Sequence, residues 1–256
     1  MFSHVIVKTP CKNVLSGITS APELGKPDYE LALREHAAYI EALKKCGVDV
    51  TVLPADEAFP DSCFVEDVAV VTRKCAIVTN PGAASRNGET AAIVPVLGRF
   101  YPEEKIHRIE APGTLEGGDV MMVGDTFYVG ESARTNREGI RQFAAILGQY
   151  GFSCVSVPLE HVLHLKTGVN YLENGNLLVS GEFCDKACFA QYKKTEIPAE
   201  EAYAANCIWV NGTVIVPEGY PAVLRAVQGL GYPTLTVNTS EFRKIDGGLS
   251  CLSLRF

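Results

Sequence analysis

The segment KIDGGLSCLSLRF closes the chain and sets Cys251 behind Gly247 and Gly248, five residues from Phe256. Alternation predicts a strand here, with Leu252 and Leu254 on one face and Cys251 and Ser253 on the other. A cysteine off the apolar face is a candidate nucleophile, although cysteine by type is more often a small buried hydrophobe. A catalytic thiolate needs a base or a cationic neighbour to form near neutral pH. The chain has five histidines: His4 in a first strand, His36 in a first helix, His107 in EEKIHRIE, and His161 and His164 in LEHVLHLKTG. The spacing of His161 and His164 could suit a metal, but no third ligand is spaced to complete the set. Cys184 and Cys188, four apart, have no evident histidine partner, so zinc is set aside. His164, before a Thr-Gly break, stands at an element's edge where it could face a cavity.

Acids and arginines supply the rest. Glu116 precedes Gly117 and Gly118 in APGTLEGGDVMMVG, where a glycine pair permits close backbone approach and could aim the carboxylate inward. Asp61, Glu66 and Asp67 crowd the apolar run PDSCFVEDVAVV, and acids beside a buried strand need cationic partners or a ligand. Arg86 in SRNGET and Arg134 in ESARTN each sit in a loop just before a helix. Singly, each has an ordinary explanation as a solvated side chain. Together they fit one chemistry. Inward acids suit a planar guanidinium, two arginines suit an α-carboxylate, and a thiolate with a histidine suits substitution at a guanidinium carbon.

These groups need elements to carry them. Asp28 is a cap for a helix through DYELALREHAAYIEALKKCG, with Leu33, Ala37, Ile40 and Leu43 on its inward face. Asn136 opens a second, with Ile140, Phe143, Ala144 and Leu147 inward, and residues 89–100 and 220–230 read as two more. Between them, FVEDVAVVTRKCAIVTNP, LEGGDVMMVGDTFYVGES, YLENGNLLVSGEF and ANCIWVNGTVIVPEGYP repeat a pattern of short strand, polar turn and second strand. The C-terminal strand and HVIVKTP would complete a fifth unit from the two chain ends. Five such units predict an α/β propeller, read as one domain over residues 1–256; a plain mixed α/β sheet is the competing reading. The breaker-rich stretch SGITSAPELGKPDY reads as a loop, and such loops include lids.

Composition bounds the partners. A net charge of -7 without a basic run argues against nucleic acid. The start MFSHVIVKTPCKN lacks the features of a signal peptide, and no apolar run reaches the roughly 20 residues a membrane helix needs. Nine cysteines without paired spacing point to a reducing cytoplasm.

The motifs FPDSCFVEDVAVV, PGAASRNGET, EAPGTLEGGDVMMVG, GESARTN, HLKTG, AANCIWVN and KIDGGLSCLSLRF, in this order along the whole chain, resemble the dimethylarginine dimethylaminohydrolase family, particularly its bacterial form. That family belongs to the guanidine-modifying enzymes, which share a five-bladed α/β propeller with a central active site. The resemblance implies hydrolysis of N-omega-methylated arginines (asymmetric dimethylarginine and monomethylarginine) to citrulline and dimethylamine or methylamine, through a covalent cysteine thiouronium. It implies Cys251 as nucleophile, His164 as general acid and base, and Glu116 holding the guanidinium or the histidine. Asp67 would clamp the guanidinium nitrogens and Arg86 and Arg134 the carboxylate. Asp61, Glu66 and the main chain near Ile18 and Leu249 would complete the pocket, with the loop around Ile18 as its lid. The family often has leucine at position 18, a departure that leaves a main-chain contact unaffected. The partner is a small-molecule substrate, with no cofactor, metal, nucleic acid or membrane, and a homodimer is compatible with it. An arginine deiminase is the nearest rival but usually carries an inserted helical domain, as an amidinotransferase is usually larger. A noncatalytic propeller would lack the nucleophile or the histidine.

Overall fold

The computed structural model describes residues 1–256 and divides into two compact units, Met1–Val65 with Gly168–Phe256, and Glu66–Thr167. Five three-stranded sheets share one topology. In each, a middle strand pairs antiparallel with a short strand on one side and parallel with a third strand on the other.

The first unit holds three of them. His4–Lys8 is flanked by antiparallel Leu254–Arg255 and parallel Asp49–Leu53. Asn176–Val179 lies between Val169–Tyr171 and Lys193–Glu196, and Thr213–Pro217 between Ile208–Val210 and Thr234–Val237. The second unit holds Ala76–Val78 between Ala69–Val71 and Ile106–Arg108, and Thr126–Glu131 between Val120–Val123 and Ser153–Pro158. The antiparallel pair can close by a tight turn in four of the sheets, whereas the parallel partner needs a longer crossover. In the fifth, the two chain ends form the antiparallel pair, as the sequence predicts. This is the repeat of a pseudo-fivefold α/β propeller.

The helices begin where their caps predict. The Asp28 carboxylate accepts from Leu31 N at the head of Tyr29–Lys45, and the Asn136 side chain accepts from Gly139 N at the head of Arg137–Gln149. In the second, Ile140, Phe143 and Leu147 are buried as expected, in a core with Ile77, Leu115 and Phe127. The first is rotated from its predicted face: Ala32, Glu35, His36, Tyr39, Ala42 and Leu43 are buried, and Ala37 is exposed. Polar residues can face inward here because they find partners. Glu35 accepts from Ser240 N at 3.1 Å, Ser240 Oγ at 2.7 Å and Glu241 N at 3.1 Å. The Tyr39 hydroxyl lies 2.9 Å from the Leu249 carbonyl and 2.7 Å from Ser253 Oγ.

His36 is the exception on this face. It is 3% exposed, its Nε2 meets no hydrogen-bond partner, and burial pushes its pKa down to about 4. Above the ordinary value near 6.5 both folded and unfolded chains carry it neutral, so its contribution to stability is then intact. Between 6.5 and about 4 the unfolded chain takes a proton that the folded chain refuses, and stability falls. The full gap is worth about 3 kcal/mol. His36→Leu is therefore expected to flatten the loss of stability between pH 7 and pH 4.5 in urea melts; an identical slope in both proteins would rule this out.

Candidate active site

In the second unit, Glu116 ends an extended stretch and Gly117–Asp119 turns into the strand Val120–Val123. The two glycines are needed for packing. A Cβ on Gly117 would lie 1.9 Å from the Glu66 carbonyl oxygen, and one on Gly118 would lie 2.7 Å from His164 Nδ1 and 3.0 Å from Asp67 Oδ1. The backbone thus lets Glu66, Asp67 and His164 close around it.

Glu116, 1% exposed, holds His164 Nε2 at 2.7 Å through Oε2, while its Oε1 accepts from Ala83 N at 3.1 Å and lies 3.7 Å from Arg134 Nη1. Burial works against the imidazolium, but the Glu116 hydrogen bond and the charges of Asp119, Asp67 and Glu116 outweigh it and raise the His164 pKa to about 9. His164 is protonated at neutral pH. Asp67 accepts from Arg86 Nη1 at 2.6 Å and from Gly118 N at 2.9 Å. Its burial favours the neutral acid, yet Arg86 and His164 hold the carboxyl below the usual range. Arg86 is buried rather than a surface residue, with Nε and Nη2 on the two oxygens of Glu89 at 3.0 and 2.8 Å. Those acids raise its pKa further despite burial. Glu66 is paired with Lys166 Nζ at 2.5 Å.

Asp119 was not singled out from the sequence, although it stands in the same LEGGD run. Its buried carboxylate accepts from Leu165 N at 2.9 Å, next to His164, and from Ser132 Oγ at 2.7 Å. Ser132 Oγ in turn accepts from Arg134 N and Thr135 N. One carboxylate therefore fastens both the histidine turn and the Arg134 loop. Glu89 was also missed, though its i,i+3 spacing from Arg86 was a usable signal. The donor atoms of Asp67, Glu116 and His164 lie within 4.8 Å of one another, which a cation could use. A proton on His164 and the Arg86 charge on Asp67 compete with it.

The first unit carries the remaining predicted residues. The extended strand expected around Cys251 is instead a short 3-10 turn at Ser250–Leu252, and the strand begins at Leu254. Cys251, Leu252, Ser253 and Leu254 are all buried, so alternation does not separate two faces here. The Cys251 Sγ accepts from Gly248 N at 3.4 Å. Leu249 is fully buried and its carbonyl is the one that receives the Tyr39 hydroxyl. Asp61 Oδ1 accepts from Ile18 N at 2.9 Å. A Cβ on Gly17 would stand 3.0 Å from both Asp61 Oδ1 and Ile245 Cγ2, so the glycine lets the loop lie on them. The same loop is fastened further along by Ser20 N and Oγ on Asp246, at 2.6 and 2.9 Å, and by Asp28 N on Glu241 at 2.6 Å.

No helix is long and apolar enough to cross a membrane. Five repeats of one topology define the class, an α/β propeller of the amidinotransferase type. Residues 24–184 match the family described as N,N dimethylarginine dimethylhydrolase, eukaryotic. The chain is 59% identical to the N(G),N(G)-dimethylarginine dimethylaminohydrolase of Pseudomonas aeruginosa over 256 residues, all of both chains. It is 36% identical to the protein of that name from Streptomyces coelicolor, covering 98% of this chain and 95% of that one. A solved Pseudomonas aeruginosa structure, a cysteine-to-serine mutant complexed with citrulline, superimposes with a TM-score of 0.98 at 58% identity over all of both chains. The chain belongs to the dimethylarginine dimethylaminohydrolase family, hydrolases that act on a C–N bond of an amidine.

Proposed function

We propose that Cys251, His164 and Glu116 form the catalytic set of a hydrolase that converts N-omega-methylated arginines to citrulline and a methylamine, with both units working as one catalytic domain. The observation that carries the assignment of roles is the His164–Glu116 pair, a buried imidazole kept protonated at neutral pH. An amine cannot leave a tetrahedral carbon as an amide anion, so it needs such a proton donor.

The steps follow. The Cys251 thiolate attacks the guanidinium carbon and forms a C–S bond, leaving a tetrahedral adduct. His164 gives its proton to the methylated nitrogen as the C–N bond breaks, and dimethylamine or methylamine departs. A planar thiouronium remains on Cys251. His164, now neutral, takes a proton from water as the water oxygen attacks the same carbon. Collapse expels the thiolate while the adduct's hydroxyl proton passes to solvent, which gives the neutral ureido group of citrulline and leaves His164 protonated as at the start.

The other residues bind. Asp67, kept ionised by Arg86, offers its charge to the guanidinium nitrogens, and Asp61 and Glu66 line the pocket. Arg134 and Arg86 hold the substrate carboxylate, the former the more open, with side-chain exposures of 19% and 6%. The main chain at Ile18 and Leu249 completes the enclosure, and the loop through Ile18 is the lid. Acids around a cationic substrate offset the cost of taking it out of water. Nine free thiols support a cytoplasmic setting, and the charge of -7 supports a small cationic partner over nucleic acid.

The test is citrulline release from asymmetric dimethylarginine and, separately, from arginine. Turnover of the methylated substrate is expected. Turnover of arginine alone would make the chain a deiminase, and release from neither would overturn the reading.

A further inference from the structure

Among the side chains that hold the turn carrying Cys251, Asn206 makes the most contacts to its backbone and side chains. Asn206 stands just before the strand Ile208–Val210 and is buried. Its Oδ1 accepts from Ser250 N at 2.8 Å, and its Nδ2 donates to Ser250 Oγ at 3.2 Å. The same carboxamide lies flat on Gly248: a Cβ there would meet Asn206 Cγ at 2.6 Å, Nδ2 at 2.8 Å and Oδ1 at 3.0 Å. One amide therefore fixes both Gly248 and Ser250, three residues and one residue before the cysteine. Gly248 is the residue whose N–H points at Cys251 Sγ, at 3.4 Å.

We infer that Asn206 is a positioning residue that sets the acidity of Cys251 by holding the Gly248–Cys251 turn closed. The inference rests on Cys251 being the nucleophile. An N–H donor favours the thiolate over the thiol, and its bond to the charged form is the stronger one. That donor reaches sulfur only while the four-residue turn stays closed. Two further contacts fix the chain on either side of Gly248, Tyr203 on the Gly247 carbonyl and Tyr39 on the Leu249 carbonyl, both at 2.9 Å. A third, Arg255 Nη1, donates to the Ser250 carbonyl at 3.2 Å. The Ser250 N–H is held by Asn206, in a residue only 1% exposed. Without that acceptor the buried N–H must turn elsewhere, which opens the turn and withdraws the Gly248 donor from sulfur.

The test is the rate of alkylation of Cys251 by iodoacetamide across pH, with the labelled residue identified by peptide mass spectrometry. Wild type, Asn206→Ala and Ser250→Ala are compared, beside their activity on asymmetric dimethylarginine. Asn206→Ala is expected to move the alkylation profile to higher pH, lowering the rate near neutrality about tenfold while the rate at high pH stays close to wild type. Ser250→Ala removes only the Nδ2 to Oγ half of the grip; it shifts the profile the same way by less, and keeps the test readable should Asn206→Ala unfold. A profile unmoved in every folded variant would overturn the inference, even with activity lowered. If Cys251→Ser retained activity, the nucleophile reading would fall instead, and the alkylation profiles would still report the acidity of the thiol.

Discussion

Cys251→Ser is expected to release no measurable citrulline from asymmetric dimethylarginine, a loss of at least about 10⁴-fold, since removal of a covalent nucleophile leaves only binding and electrostatic assistance. A serine hydroxyl is far less acidic than a thiol and so a far weaker nucleophile near neutral pH. The substitution is nearly isosteric and the introduced hydroxyl oxygen can still accept from Gly248 N, so the melting temperature should stay within a few degrees of wild type. A folded variant with unchanged substrate binding but no turnover separates a lost nucleophile from a lost fold. The other thiols offer little substitute reactivity. Burial pushes up the thiols of Cys11, Cys46, Cys75 and Cys207, and raises Cys154 to about 11. Burial also raises Cys184 and Cys188. Residual turnover above about one per cent of wild type would remove Cys251 from the covalent step.

Glu116→Gln is expected to cost up to about tenfold in kcat near pH 8, because less of His164 then carries the proton it must donate. Against burial, which lowers it, the His164 pKa reaches about 9 in part through the Glu116 hydrogen bond and charge. Without them the imidazole loses its proton at lower pH. Because the leaving step uses the protonated form, the alkaline limb of the kcat profile should move down from about 9 by a unit or more. Part of the lost rate should return as pH is lowered, since Asp119 and Asp67 still favour the imidazolium. A merely structural loss would depress the profile at every pH and leave its limb in place. An unmoved limb therefore counts against Glu116 as the group that keeps His164 charged.

The two variants probe groups in different units. Each unit also has its own scaffold. Gly117 and Gly118 allow the acids and the imidazole to close around a backbone with no side chains in the way, and Asp119 fastens the His164 turn and the Arg134 loop together. Asn206 has the corresponding position beneath Cys251.

By itself the sequence determined what depends on neighbours a few residues away. Asp28 and Asn136 cap their helices because an N-cap bonds a backbone N–H three residues on, which any segment of that composition can do alone. The strand pairs followed from alternation and turns, and even the closure between HVIVKTP and the C-terminal strand was legible as a missing partner. The acids, arginines, histidine and cysteine stood out by type, because guanidinium chemistry restricts the residue types that suit it, and Asp67, Glu116 and His164 do come together in the fold. Tertiary structure decided what those side chains bond to. The buried face of the first helix turned because Glu35 and Tyr39 find partners more than 200 residues away, in Ser240 and Leu249. Cys251 came to lie on a turn because Asn206 claims the Ser250 N–H that a regular strand would have offered to its neighbour. Arg86 is buried because Asp67 and Glu89 repay its lost hydration. A polar group taken out of water must be matched atom for atom, and only the folded chain fixes which atoms arrive.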